Sequence, residues 1–584
     1  MYTLGINAVY HDTAACLVHD GEVVAAVEDE RFTHVKHGKR PVPFSTWELP
    51  FHAIDYCLAE AGIRLRDVDR IAYSFDPGLL ANWTDRATIE LPLQPSRHGA
   101  AVGHDSPWDP LFLSYVVNAP RQLVSGAPLH LAGRLGGVDF EWAEPRWRFV
   151  EHHLAHEASA FLAAPFDEAA VLSMDGRGER ATTSFGHFVD GEYRRLRQVD
   201  LPHSLGLVYE ELTRYLGFLH SSDEYKVMAL ASYGEPRHVG AFREIIRRGA
   251  EGAYEVTPCM LAERFGPPRQ RGGPLEARHY DIARSLQTVL EETVVDMARW
   301  LHDQTRCPDL AMAGGVALNC VMNARVRDLG PFERVWVQPA AGDAGTALGA
   351  ALWIDRTEGP KPPAGLQGRR FVMDHAYLGP AFGDDEIEGF LKWSKLPYRR
   401  LDDIPGETAE LLARDRIVGW FQGRMEFGPR ALGARSILAS PIHAAMQARL
   451  NEIKDREDFR PVAPAVLRER VAEWFRCARP SGHTAPFMLF VFDVIEEQAG
   501  RIPAVCHVDG TARVQTVERD AHPLYHDLLA AFEKRTGVPI LVNTSFNTRG
   551  EPIVCTPRDA VECFWTSPLD ALVIGSFLLE KAPS

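Results

Sequence analysis

Strand-length apolar runs separated by polar tips open the chain. Residues 2–9 and 13–18 are mostly apolar, Asp20-Gly21 reads as a hairpin turn, and residues 23–27 form a third apolar run. Residues 51–61 place apolar side chains at helical spacing and residues 71–75 return to a buried strand, which predicts a β-β-β-α-β order. The order then restarts. After an irregular stretch over 78–140, read as an insertion, residues 147–150 and 169–174 predict strands. Residues 182–188 and 193–199 predict a hairpin around Asp190-Gly191. Helices are expected from Leu205, over 223–234 and over 280–303, and two strands, 309–313 and 335–337, each run into small residues at a helix start. The Pro- and Gly-rich stretch 355–370 reads as a linker between a domain at 1–354 and a second at 371–584.

Length and composition change this picture little. A chain of 584 residues exceeds one ordinary core, and 46% apolar with 24% charged residues is the composition of a soluble globular protein. A net charge of −16 argues against general nucleic-acid binding, which rests on neutralising phosphates, and leaves room for a local basic pocket. Nine cysteines without CxxC spacing read as reduced thiols. The N-terminus lacks a basic segment followed by a long apolar core, and no apolar run reaches the roughly 20 residues of a membrane span. A cytoplasmic enzyme is the expectation.

The chemistry concentrates in a few stretches. In a helix, His152 and His156 of Glu151-His152-His153-Leu154-Ala155-His156 share a face, as two imidazoles gripping one cation must. Asp175, at a strand end, and Asp343, at a strand-to-helix junction, are the carboxylates available to complete such a site; ordinary helix-start histidines are the competing reading. Residues 28–38 are more charged than a connector requires, or else form a solvated helix start. In the second domain, residues 422–436 read as a loop-to-helix stretch carrying Arg424, Arg430 and Arg435, and residues 451–461 add Lys454, Arg456 and Arg460. Six cations in two short segments of an acidic protein suit a phosphate-rich ligand, because guanidinium forks match phosphate oxygens.

Together these stretches resemble the family of nodulation protein U and the cephalosporin hydroxymethyl carbamoyltransferases. The match is carried by His11-Asp12, Arg31-Phe32-Thr33, Lys36-His37-Gly38, the histidine cluster, Asp175-Gly176 with Gly178-Glu179, residues 314–319, Gly342-Asp343, residues 423–433, Phe459-Arg460-Pro461 and residues 543–547. The resemblance implies an α/β protein with an N-terminal duplicated actin-like (ASKHA) domain, similar to tRNA threonylcarbamoyl transferase, and a C-terminal YrdC-like α/β domain. It implies that the C-terminal domain makes carbamoyl-adenylate from carbamoyl phosphate and ATP with Mg, and that the N-terminal domain passes the carbamoyl group to a hydroxyl of a small-molecule acceptor. The metal, Fe(II) by resemblance, would be held by His152, His156, Asp175 and Asp343. His11 would act as general base, its ordinary pKa lying near neutrality, and Lys36 would steady the adenylate. Asp12, Gly176, Gly178, Gly314, Gly315, Asn319 and Asp223 would border the nucleotide. Arg424, Arg430, Lys454, Arg456 and Arg460 would neutralise phosphates while Asn543, Thr544 and Ser545 orient carbamoyl phosphate. No nucleic-acid or membrane partner is expected, and a homodimer is compatible with the chain. The competing functions are a tRNA threonylcarbamoyl-transferase-like enzyme, an actin-like sugar kinase and a non-catalytic nucleotide-binding scaffold.

Overall fold

In the computed structural model, residues 1–38, 49–80, 82, 83, 89, 90, 113, 115–125, 137–360, 371–479, 484–548 and 550–581 are described. The chain forms two compact units, Met1–Met373 and Asp374–Ser584. Most of the expected insertion at 78–140, and residues 361–370 of the expected linker, lie outside the described residues.

The first unit contains the same sheet twice. Strands β1 (Tyr2–Asn7), β2 (Ala14–His19) and β3 (Glu22–Glu28) form an antiparallel meander. Helix α1 (Phe51–Glu60) then leads to β4 (Arg70–Tyr73), parallel to β1, and β5 (Trp147–Phe149) adds in parallel at the edge, giving the order β3-β2-β1-β4-β5. After α2 (His152–Phe161), strands β6 (Ala169–Met174), β7 (Ala181–Val189) and β8 (Glu192–Asp200) repeat the meander. The 29-residue helix α3 (Ala277–Thr305) leads to β9 (Asp309–Ala313), and α4 (Cys320–Leu329) to β10 (Arg334–Val337), giving β8-β7-β6-β9-β10. Both sheets have a three-stranded antiparallel half and a parallel half, which is the duplicated actin-like α/β architecture. The central strands β6 and β9 bury every residue, as strands covered on both faces do.

Helix α5 (Ala344–Glu358) joins the two halves. It packs on α2 and on β1, β2 and β4. Two glycines let it approach closely: a Cβ on Gly349 would lie 1.8 Å from the Ala155 carbonyl oxygen of α2, and one on Gly5 would lie 1.9 Å from the Ala347 carbonyl oxygen. That approach brings the start of α5, the start of α2 and the end of β1 together. Because Ala350, Leu352 and Ile354 are buried, the helix continues to Glu358, four residues into the stretch whose composition reads as linker.

The second unit is built on an eight-stranded mixed sheet. Its central strands are β11 (Val418–Phe421), β12 (Arg435–Ala439), β13 (Ala463–Leu467) and β14 (Ile540–Ser545), in the order β11-β12-β14-β13. The expected helix after residue 422 does not form. Residues 422–434 are a loop that delivers Arg435-Ser436-Ile437-Leu438-Ala439, buried throughout, into β12. All nine cysteines are free thiols, six of them buried.

Candidate functional site

The first unit gathers His152, His156, Asp175 and Asp343 into one buried cluster, with one donor atom of each within 4.8 Å of all the others. Helix α2 supplies both imidazoles on successive turns, Asp175 follows the last residue of β6, and Asp343 is the residue before α5. His152 Nε2 lies 3.9 Å from Asp175 Oδ2 and 3.6 Å from Asp343 Oδ1, and His156 Nε2 is also 3.6 Å from Asp343 Oδ1. None of these separations is a hydrogen bond. Nε2 of His152, both ring nitrogens of His156 and both carboxylate oxygens of Asp343 are buried without a hydrogen-bond partner. Unmade bonds on so many buried polar atoms carry a desolvation cost that a bound cation removes. Two imidazoles and two carboxylates suit a divalent transition ion, so the residues fit the metal the resemblance implies.

The surrounding bonds hold these donors in place. His152 Nδ1 donates to the Ser74 carbonyl at 3.1 Å, which fixes its tautomer and leaves Nε2 as the lone-pair nitrogen. Asp175 Oδ1 accepts the Gly315 N–H at 2.8 Å. Glu179 accepts the His152 N–H at 3.0 Å and the Asp76 N–H at 2.6 Å, placing at the start of α2 a carboxyl that burial pushes up to about 7. Burial alone would raise the Asp175 and Asp343 carboxyls. The imidazoles of His152, His156 and His153 beside it hold Asp175 well below its usual range, and His11 with His152 holds Asp343 at about 2. Burial disfavours the His152 imidazolium, yet the two carboxylates outweigh it and hold this ring well above its usual value. The pocket is thus strongly selective for positive charge.

His11 stands at the edge of the cluster. Its Nε2 is 3.8 Å from Asp343 Oδ2 and its Nδ1 is 2.9 Å from Asp12 Oδ2, while the side chain remains 29% exposed. An imidazole nitrogen thus lies beside the cluster and is reachable from solvent. Asp12 faces His11 and His37, whose Nδ1 lies 2.7 Å from Asp12 Oδ1; burial opposes its ionisation and the two imidazoles hold it well below the carboxylate range. Lys36 begins the short turn Lys36–Gly38 that presents His37. The charged stretch before it is not a solvated helix start: Glu28, Asp29, Glu30 and Arg31 are all buried, with Arg31 bridging Glu28 and Glu30.

Other residues singled out by sequence have local partners. Gly314 turns at φ 90° between β9 and a short 3-10 turn, Gly176 lies beside the start of the helix Leu205–Tyr215, and Gly178 is closed against the His153 ring. Asn319 caps α4 and exchanges hydrogen bonds with Gln287. Asp223 bonds Leu219 N–H and Lys226. His153 points away, toward Ser184. Among the described residues two further donor groups converge, Glu168–His187–Cys307 and Asp12–Glu30–His37, but their members already bond one another or adjacent backbone.

In the second unit the loop 422–434 is shaped from within. Glu426, 1% exposed, accepts three backbone N–H groups, of Leu432 at 2.6 Å, Ala434 at 2.8 Å and Arg435 at 3.2 Å. Arg435 is fully buried, donates to the carbonyls of Gln422, Gly423, Ala434 and Pro380, and lies over Phe421. Arg424 donates to the Leu378 and Gly379 carbonyls, and Lys454 to Ser545 and Asn547. Arg456 bonds Asn451 and Arg460 lies 3.8 Å from Glu457, while Arg430 is half-buried on the loop. Asn543 reaches across to Gln515 and the Ala431 carbonyl, and Thr544 and Ser545 end β14 beside β12. Sequence reasoning did not assign Glu426, Arg435, Ser74 or Glu179 these positioning roles. A carboxylate embedded among glycines and apolar residues was the only available signal for Glu426.

The family model described as carbamoyltransferase N-terminus matches residues 2–352, and that described as carbamoyltransferase C-terminus matches residues 409–581. An uncharacterised protein of Synechocystis is 41% identical over 99% of this chain and 97% of its own length. Nodulation protein NolNO of Sinorhizobium fredii is 39% identical over 98% of this chain and 80% of its own. The 3'-hydroxymethylcephem-O-carbamoyltransferase of Amycolatopsis lactamdurans is 32% identical over 74% of this chain and 80% of its own. The chain, with its buried two-histidine, two-aspartate cluster, belongs to the carbamoyltransferase family and is an enzyme of that class.

Proposed function

We propose that this enzyme moves the carbamoyl group of carbamoyl phosphate, activated by ATP as carbamoyl-adenylate, onto a hydroxyl of a small molecule. The observation that carries the reading is the buried cluster with its orphaned donors, set beside an accessible His11. In the second unit, water cleaves carbamoyl phosphate to phosphate and carbamate, a carbamate oxygen attacks the α-phosphorus of Mg-bound ATP, and pyrophosphate departs. The half-buried Arg430, Arg456 and Arg460 are the cations best placed to meet phosphate charge. Arg424 and Lys454 contribute by fixing the loop and the end of β14.

Transfer belongs to the first unit. The acceptor hydroxyl oxygen attacks the carbamoyl carbon, its proton passes to His11 Nε2, and the C–O bond to AMP breaks. Asp12 holds the opposite ring nitrogen and so orients the imidazole. A divalent cation at His152, His156, Asp175 and Asp343, Fe(II) in our reading, would supply positive charge for the departing AMP phosphate. The cephem and nodulation relatives favour a hydroxylated natural product or glycan as acceptor.

The acceptor class is tested by incubating the protein with ATP, Mg and carbamoyl phosphate against hydroxylated antibiotics, oligosaccharides and tRNA. Mass spectrometry should find one added carbamoyl group on a small molecule. Carbamoylation of tRNA alone would replace this reading with the threonylcarbamoyl-transferase alternative.

A further inference from the structure

The loop that carries His11 and Asp12 is held in an unfavourable conformation. Tyr10 and Asp12 both have positive φ, 53° and 52°, a region non-glycine residues rarely occupy unless the surroundings impose it. His37 holds Asp12 from one side, accepting its N–H on the His37 carbonyl at 2.9 Å, and Asn7, at the end of β1, holds the loop from within by a fully buried, fully used side chain. Its Nδ2 donates to the His11 carbonyl at 3.0 Å and to the Asp12 carbonyl at 3.1 Å. Its Oδ1 accepts the Val9 N–H at 3.3 Å and the Ser74 hydroxyl at 3.0 Å. Two carbonyls on one side and an N–H on the other admit a single orientation of the amide.

The chain of bonds continues into the metal cluster. The Thr346 hydroxyl, on α5, lies 2.9 Å from Ser74 Oγ and 2.6 Å from the Asp343 carbonyl, sharing its one proton between them. The Ser74 carbonyl accepts from His152 Nδ1. Asn7, Ser74 and Thr346 are each 0% exposed, so water does not substitute for any of these contacts. Three elements meet here: β1 with its loop, the segment after β4, and α5.

We infer that Asn7 is a positioning residue: through Ser74 and Thr346 it locks the His11–Asp12 loop, His152 and Asp343 into one arrangement, so that the base and the metal ligands are set together. The inference rests on the reading of the cluster as a metal site and not on the identity of the reaction. Outer partners of metal ligands commonly contribute about 10- to 100-fold in affinity when removed, and Asn7 acts on two elements of the site at once.

The test is Mn(II) binding by titration calorimetry on the full chain, with circular dichroism and a thermal melt to establish folding. Asn7→Ala should fold and bind Mn(II) about 10- to 100-fold more weakly. Leu17→Ala, a cavity variant in the core beside β1, should lose comparable stability and keep the parent affinity. Parent-like Mn(II) affinity in folded Asn7→Ala overturns the inference, and so does an equal loss in Leu17→Ala, which would mark general softening. If Asn7→Ala does not fold, Ser74→Ala carries the same test: it keeps the carbonyl on His152 and removes the hydroxyl link, and it should weaken Mn(II) binding several-fold, parent-like affinity again overturning the inference. Absence of Mn(II) binding in the parent would instead contradict the metal reading itself.

Discussion

At the scale of single residues, the two stages of the reaction should separate. Asp343 is buried with neither carboxylate oxygen hydrogen-bonded, and in the proposed reading it holds the cation. Asp343→Ala is expected to lose bound metal and carbamoyl transfer while pyrophosphate formation from ATP and carbamoyl phosphate continues; equal loss of both in a folded protein would contradict the division. His11→Asn keeps the size and polarity of the side chain and removes the base. Transfer should fall about 10²- to 10⁴-fold with pyrophosphate formation unchanged. A titratable prediction belongs to the second unit. His522 caps the helix Pro523–Thr536 by accepting the Tyr525 N–H on Nδ1, and it donates from Nε2 to the Gly433 carbonyl; burial pulls its pKa down to about 4. An unfolded histidine titrates near 6.5. Between these values the unfolded chain binds more protons, so this contribution is complete above about pH 6.5 and is lost as pH falls toward 4, by up to about 3 kcal/mol. Urea unfolding midpoints should fall more steeply with acid in the parent than in His522→Asn, which retains a cap that does not titrate; equal slopes would exclude His522 as the cause.

At the scale of elements, α2 is the piece on which the site depends, and Arg195 of β8 fastens it. Its guanidinium bonds both oxygens of Glu157 at 3.0 and 2.8 Å and both of Glu151 at 2.8 Å, and Glu157 is fully buried. Removing one side of such a pair leaves a buried charge uncompensated. Arg195→Ala should therefore cost about 2–4 kcal/mol in calorimetric stability and weaken metal binding; an unchanged melt would show that α2 is held by apolar packing alone. The strand and helix pattern of this unit is legible in the sequence because each element carries its own period and turn signal, as in the two meanders around Asp20-Gly21 and Asp190-Gly191. The spacing of His152 and His156 is legible for the same reason. What local pattern does not contain is the fastening: Arg195 lies 38 residues from Glu157, and Ser74 lies 78 from His152. The loop 422–434 shows the converse error. Its arginines suggest a helix facing phosphate, whereas Glu426 and Arg435 spend their charges on backbone groups and the chain enters a buried strand.

At the scale of the whole molecule, the two units correspond to the two family models, and the duplicated sheet explains why one site draws on distant segments. Equivalent strands β1 and β6 end at His11's loop and at Asp175, and α5, admitted by Gly5 and Gly349, carries Asp343 between them. Segment order in the sequence gives the duplication; the close approach of α5 depends on small residues whose partners lie more than 150 positions away, and no local pattern reveals it. In the proposed reaction one chain both activates and transfers the carbamoyl group. This dual role is tested most directly by supplying ATP, Mg and carbamoyl phosphate to the purified full chain and resolving the nucleotide products. Pyrophosphate is expected only when both substrates are present, followed by AMP when a hydroxylated acceptor is added. Release of ADP, or ATP consumption that does not depend on carbamoyl phosphate, would contradict it.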